Sequence, residues 1–274
     1  MIKDITLGQF FPIDSPIHKM DPRVKILATI IYIFAVFFAK GYAGYIVVAL
    51  FTYVIILMSK VPLKLILKSL KPLVFLVIFT SLLNIFMTDG KIVTLFNIPL
   101  KLGFLKITYE GLSIAVKMAL RLIFLVAGTS LLTFTTSPIV LTDGIESLLS
   151  PFNKIGLPSH ELAMMMSIAI RFIPTLIEET DKIMKAQKAR GADFESGNLI
   201  KRVKALVPIL VPLFISSFRR ADELAVAMEA RCYKGGKGRT RLRELKLSNI
   251  DFKASLYMLL FVLSIVVTNI FVKV

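Results

Sequence analysis

The chain has 274 residues, room for one or two domains, and is 56% hydrophobic with a mean hydropathy of +0.77, above ordinary globular usage. Its net charge of +16 is interrupted by apolar runs, so it reads as the Lys and Arg excess on the cytoplasmic side of a membrane protein rather than a nucleic-acid footprint. A single cysteine, Cys232, excludes an internal disulfide, and with only His18 and His160 beside it a Cys/His metal cage is excluded too.

Residues 1 to 25 are polar and turn-rich and lack the apolar core of a cleaved signal peptide, so the first span is expected to be a retained anchor. Phe10, Phe11 and Ile17 give this segment something to pack. Asp21 before Pro22 predicts a helix start, because Asp caps the free N–H groups and Pro fits the first turn. Span one is expected over Val24–Ala39, short for a crossing of about 20 residues, with Lys25 snorkelling at its inner end. Span two is expected over Tyr45–Met58. Lys60, Lys64, Lys68 and Lys71 then recur at helical spacing, as at a cytoplasmic interface.

Span three covers Leu73–Met87, and its polar Asn84 is expected to face protein. Residues 88 to 108 read as a loop on the outer side. Span four covers Leu112–Phe134 and carries Lys117 and Arg121 on one face; these either snorkel near the outer end or line a contact with a second membrane protein. Thr135-Thr136-Ser137-Pro138 opens a region without a convincing apolar run of about 20 residues. A short helix is expected over Ile145–Phe152, a long one over Ser159–Arg190 kinked at Pro174, and a third over Val203–Ala230 broken at Pro208 and Pro212. A basic loop follows, and span five covers Ala254–Val272. Starting inside, five spans leave the basic segments on the cytoplasmic side, as the positive-inside rule requires.

The expected architecture is therefore all-α and polytopic, with about five transmembrane helices and a cytoplasmic platform of two to three long helices. Its divisions fall at 1–136 for the N-terminal segment and spans one to four, 137–252 for the platform, and 253–274 for the last span. The two long platform helices close on nearly the same tripeptide, Ala189-Arg190-Gly191 and Ala230-Arg231-Cys232. Glycine after Arg190 is an ordinary helix stop, and Gly235-Gly236 serve the same purpose after Arg231. The repetition goes further: small neighbours leave each arginine clear to enter a pocket, where its planar fork can hold a carboxylate. Ala221 and Ala225, four apart, would let another helix approach closely. Met164, Met165 and Met166 offer an adaptable surface, either for the platform's own core or for a membrane subunit that slides on it.

Several motifs in this order carry a family resemblance: SPIHKMDPRVK at 15 to 25, TTSP at 135 to 138, LSPFNKIGLP at 149 to 158, RFIP at 171 to 174, QKARG and AMEARCY. Together they cover nearly the whole chain, and it resembles the transmembrane T component of energy-coupling factor (ECF) importers, a class of ATP-binding-cassette transporter. The resemblance implies a scaffold in the cell membrane, with its coupling helices cytoplasmic. Arg190 and Arg231 would dock into grooves of two ATPase subunits, identical or homologous. A separate substrate-binding membrane subunit, the S component, would be held alongside for vitamin or transition-metal uptake. Cys232 stands where the family commonly has glycine. No nucleic acid, cofactor or catalysis is expected; the sequence has no Gly-x-x-x-x-Gly-Lys-Ser/Thr loop to cradle phosphates, and GGKGR at 235 to 239 has the wrong spacing. The rivals are a permease subunit of another ABC importer, which should show one coupling loop, and a membrane-embedded lipid-modifying enzyme. The latter should gather acidic residues at the interface, where Asp193 and Glu195 look like turn residues.

Overall fold

A computed structural model describes residues 10–88, 94–95, 98–99, 101–102, 105–106, 108–194, 198–236 and 245–271. The opening residues to Gln9, Glu195, the GGKGR segment beyond Gly236, the basic loop at 237–244 and the last three residues lie outside that description. The protein is all-α and polytopic, and it divides into two compact units. One comprises Gly8–Gly144 with Leu245–Val274, the other Ile145–Glu244. The divisions between them lie at 144/145 and 244/245.

The first unit begins with α1 (Pro22–Phe38), α2 (Tyr42–Ser59), α3 (Leu63–Leu70) and α4 (Leu73–Met87). Two short antiparallel hairpins follow in the stretch expected as loop, β1 (Thr94–Leu95) with β2 (Ile98–Pro99) and β3 (Lys101–Leu102) with β4 (Leu105–Lys106). Then come α5 (Tyr109–Thr135), the start of α6 (Pro138–Leu149) and, after the second unit, α9 (Asn249–Phe271). The start of α1 is the one its sequence encodes: Asp21 accepts from the Arg23 N–H and Pro22 occupies the first turn.

The core of this unit lies between α1, α2, α5 and α9. Tyr32, Val36, Val48, Phe261 and Ile265 are buried together, and the Phe51 and Phe261 rings stack at 3.9 Å. The Tyr32 hydroxyl is bonded with Thr52 Oγ1 at 2.8 Å and lies 3.0 Å from the Phe124 carbonyl, so this buried polar group is satisfied. Gly128 makes room for that ring: a Cβ there would lie 2.2 Å from Tyr32 Cε1. The outer faces carry exposed apolar side chains such as Phe34, Ile46, Leu57, Phe75 and Ile78, as a lipid-facing surface requires.

By length and composition, four of the described helices can cross a membrane, α2, α5, α7 (Ser159–Ala189) and α9, and five if α3 and α4, bent by 53° at their junction, form one broken span. This differs from the expected set. Helix α1 has 17 residues, at the lower end of what a crossing takes, about 17–25. Helix α7 passes although no such run was expected between 135 and 252, because its apolar first half dilutes Glu161 and Arg171.

The two charges expected in span four sit over aromatic rings. Lys117 Nζ is 5.2 Å from the Tyr42 centroid and the Arg121 guanidinium 5.5 Å from Phe37, at the turn joining α1 to α2. Asn84 is half-buried and its amide donates back to the Thr80 carbonyl in its own helix. Lys25 does not snorkel. It is buried, and its ammonium donates to the His18 and Thr135 carbonyls and to Thr136 Oγ1.

Candidate functional site

In the second unit, a 3-10 turn (Ser150–Ile155) leads into α7, and α8 runs over Leu199–Ala230. The two long helices pack antiparallel. Arg220 pairs with Glu179 at 3.0 Å, and Ser216 donates to the same carboxylate. Both run on through their prolines, so α8 is not broken at Pro208 and Pro212 as expected. Proline at 212 has no N–H to give the Pro208 carbonyl one turn back. The Gln187 side-chain amide reaches over from α7 and donates to that oxygen at 3.4 Å. A long-range contact thus replaces the missing local bond.

The two helices end alike. Arg190 caps α7; the Gly191 N–H donates to the Lys188 carbonyl and the Ala192 N–H to Gln187. Arg231 follows α8 in the same way, the Cys232 N–H donating to Glu229 and the Tyr233 N–H to Met228. These paired bonds define a Schellman ending, which needs a left-handed residue after the cap. Gly191 supplies it with φ +88° and Cys232 with φ +55°. The stop after Arg231 is therefore Cys232 itself, not the later Gly235-Gly236 pair. Its left-handed backbone escaped sequence reasoning because a non-glycine residue rarely adopts it.

Ala189, Arg190, Gly191, Ala230, Arg231 and Cys232 are all exposed. The fold does not gather the two arginines into one cluster. Arg190 lies eleven positions beyond Glu179 and Arg231 eleven beyond Arg220, so they project about 16 Å in opposite directions from one ion pair, at 1.5 Å per residue. The pair has an approximate two-fold relation about that bridge.

Of the other named residues, Met165 and Met166 are exposed and Met164 half-buried, while neighbouring Ala163 is the buried one. Ala221 and Ala225 share an exposed position on α8. Sequence reasoning missed a longer feature. Val203, Leu206, Val207, Leu210, Val211, Phe214, Ile215 and Phe218 are all exposed. Their spacing of three and four puts them on one face. The same periodicity was legible in the sequence.

The N-terminal motif works within the first unit. The Phe11 N–H donates to the Phe134 carbonyl, and Lys25 holds Thr135 and Thr136, so the 15–25 motif closes on TTSP. The Asp21 N–H donates to Asp251 Oδ1 at 2.7 Å, tying α1 to α9. Burial opposes ionisation of Asp21, but the hydrogen bonds and charge of Arg23 outweigh it and hold the carboxyl below its usual range. His18 Nε2 donates to the Phe11 carbonyl and Nδ1 meets Ser15 Oγ at 2.7 Å. Burial keeps its imidazole below the ordinary 6.5, the Phe11 bond acting the other way. Among the described residues no group of three or more His, Cys, Asp or Glu is placed to hold a metal.

The apolar helices long enough to cross a membrane, α2, α5, α7 and α9 among the described residues, define an all-α multi-pass membrane protein. The family model described as cobalt transport protein, CbiQ, matches residues 14–242. The energy-coupling factor transporter transmembrane protein EcfT of Clostridium kluyveri is 66% identical over 263 residues, 96% of each chain. That of Ruminiclostridium cellulolyticum is 54% identical over 92% of each chain, and that of Bacillus subtilis 48% identical over 92% of this chain and 93% of its own. The chain belongs to the EcfT family, the transmembrane T components of energy-coupling factor transporters. These relatives are named as transporter components, not enzymes.

Proposed function

We propose that this T component is a coupling subunit in the cell membrane. The 145–244 unit is cytoplasmic and grips two ATPase subunits, one through Arg190 with Ala189 and Gly191, the other through Arg231 with Ala230 and Cys232. Their ATP-driven motion passes to a substrate-binding S component that takes up a vitamin or transition metal. The observation that carries this reading is the repeated helix ending, an exposed arginine at the cap followed by a left-handed residue, displayed twice about one ion pair. Two similar docking elements in approximate two-fold relation suit two similar motors. Helices of about 31 and 32 residues are stiff elements some 45 Å long, long enough to link distant sites. The apolar face of α8, with Met164, Met165, Met166, Ala221 and Ala225, is the surface for the S component.

The test is a detergent pull-down of the ATPases with Arg190→Glu/Arg231→Glu. The double variant is expected to insert and purify normally and to lose the ATPases. Wild-type recovery of both ATPases by that variant contradicts the proposal.

A further inference from the structure

The first unit contains a cavity of about 520 Å³ between α1, α2, α5 and α9. Its floor is apolar and aromatic, formed by the buried Tyr32 and Phe261 with Phe51. Its rim is open: Leu50, Val54 and Met58 on α2 and Tyr257 and Leu260 on α9 line it and are 41–66% exposed. The cleft therefore opens sideways, along a face built for lipid.

Its length and its ends are chemically informative. Along α9 the lining runs from Ala254 to Ser264 and along α2 from Val47 to Met58. At 1.5 Å per residue this is about 15–16 Å. The hydrocarbon core of a bilayer is about 30 Å thick, so the cleft spans one leaflet. Its volume falls within the range of ordinary ligand pockets, about 300–1,000 Å³.

One end is basic. Ile17, Met20, Lys25, Met58 and Ala254 mark it. Exposed Lys19, Lys60 and Lys253 stand within two residues of Met20, Met58 and Ala254. The acidic groups at this end offset part of that charge and leave Lys60 and Lys253 as its source. Exposed Asp14 pairs with Lys19 at 2.9 Å and Asp21 with Arg23 at 2.8 Å, and the buried Asp251 carboxylate accepts backbone N–H bonds beside Lys25. Lys25, in the wall itself, donates to three neutral oxygens and lies in the field of the Asp251 and Asp21 carboxylates, which offsets its charge. An apolar slot one leaflet long with cations at its mouth matches one ligand chemistry, an acyl chain carrying an anionic headgroup.

We infer that the cleft between α2 and α9 is a binding site for one anionic phospholipid. Its acyl chain lies on the Tyr32–Phe51–Phe261 floor and its phosphate lies by Lys60 and Lys253.

The full chain is reconstituted in nanodiscs of equal phosphatidylglycerol and phosphatidylcholine, then released in mild detergent for native mass spectrometry. One retained phosphatidylglycerol per chain is expected. Lys60→Gln/Lys253→Gln should lower its preference over phosphatidylcholine roughly fivefold per lysine removed. Ala254→Phe, at the half-exposed rim, should remove retention of both lipids while the protein still elutes as one symmetrical peak. Equal retention of the two lipids by the wild type, or unchanged retention by Ala254→Phe, overturns the inference. So does a photo-crosslinker in place of Tyr257 that captures a co-purifying membrane protein's helix instead of lipid.

Discussion

The two units solve the problem of apolar surface in opposite ways. In the 8–144 and 245–274 unit, Tyr32, Val36, Val48, Phe134 and Phe261 are buried against one another. Among the described residues, the buried apolar ones that belong to the 145–244 unit are only Ala163 and Ile209. There the apolar face of α8 points outward, and the contacts between α7 and α8 include polar ones, Arg220 with Glu179 and Gln187 with the Pro208 carbonyl. The first unit is finished by its own core. The second has polar contacts between its two long helices and leaves an apolar face of α8 exposed.

Breaking a contact in the first unit should therefore cost most. Gly128→Ala puts a Cβ 2.2 Å from a ring that cannot retreat without leaving Thr52 and Phe124. Overpacking of this kind costs about 1–3 kcal/mol. A lowered unfolding midpoint of the chain in nanodiscs checks it, and an unchanged midpoint would mean that the Tyr32 ring is not fixed.

In the second unit the sharper contrast lies between the two helix ends. Gly191 faces open space, so Gly191→Ala is opposed by its left-handed backbone alone. Cys232 already carries that strain. A left-handed L-residue costs roughly 1–2 kcal/mol, offset in part by the entropy of a glycine in the unfolded chain, roughly 0.5–1 kcal/mol. Gly191→Ala should loosen its end and Cys232→Gly tighten the other, each by up to about 1 kcal/mol. Hydrogen exchange at the Ala192 and Tyr233 amides reads both: faster at Ala192 and slower at Tyr233. The same sign at both ends would show that the endings are not equivalent.

What was legible in the sequence followed local rules. The Asp21-Pro22 start, the apolar runs of α2, α5 and α9, the stop at Gly191 and the twin arginine positions follow from local sequence. What was not legible depends on partners far along the chain. The buried Lys25 ammonium donates to carbonyls at His18 and Thr135, and the Pro208 carbonyl that Pro212 leaves without an N–H accepts from Gln187 on α7. Lys117 and Arg121 were placed on one face correctly, but the rings beneath them come from the α1–α2 turn. The apolar face of α8 is the exception. Its period of three and four is plain in the sequence, whereas its exposure is a property of the packing.

The smallest expected effect concerns acid, and it acts on the first unit's clasp. His18 is held below 6.5 by burial, so its neutral form is favoured in the folded state. The stability this contributes is complete above pH 6.5 and is lost as pH falls through the depressed folded value. Asp21 is held below the ordinary 3.8, its burial outweighed by Arg23, so its contribution is complete above pH 3.8 and fades below it. Acidification should therefore loosen the clasp in two stages, His18 first and Asp21 after it. His18→Gln removes the titrating imidazole, and an unfolding midpoint followed from pH 7 downward should lose its early decline while keeping the later one. Asp21→Asn should do the reverse and lower the midpoint at neutral pH as well, since an N-cap carboxylate is replaced by an amide that cannot match the charge of Arg23. If both variants kept both stages, the acid response would belong to groups elsewhere, and the tie between the N-terminal motif and TTSP would rest on Lys25 and the Phe11–Phe134 bond alone.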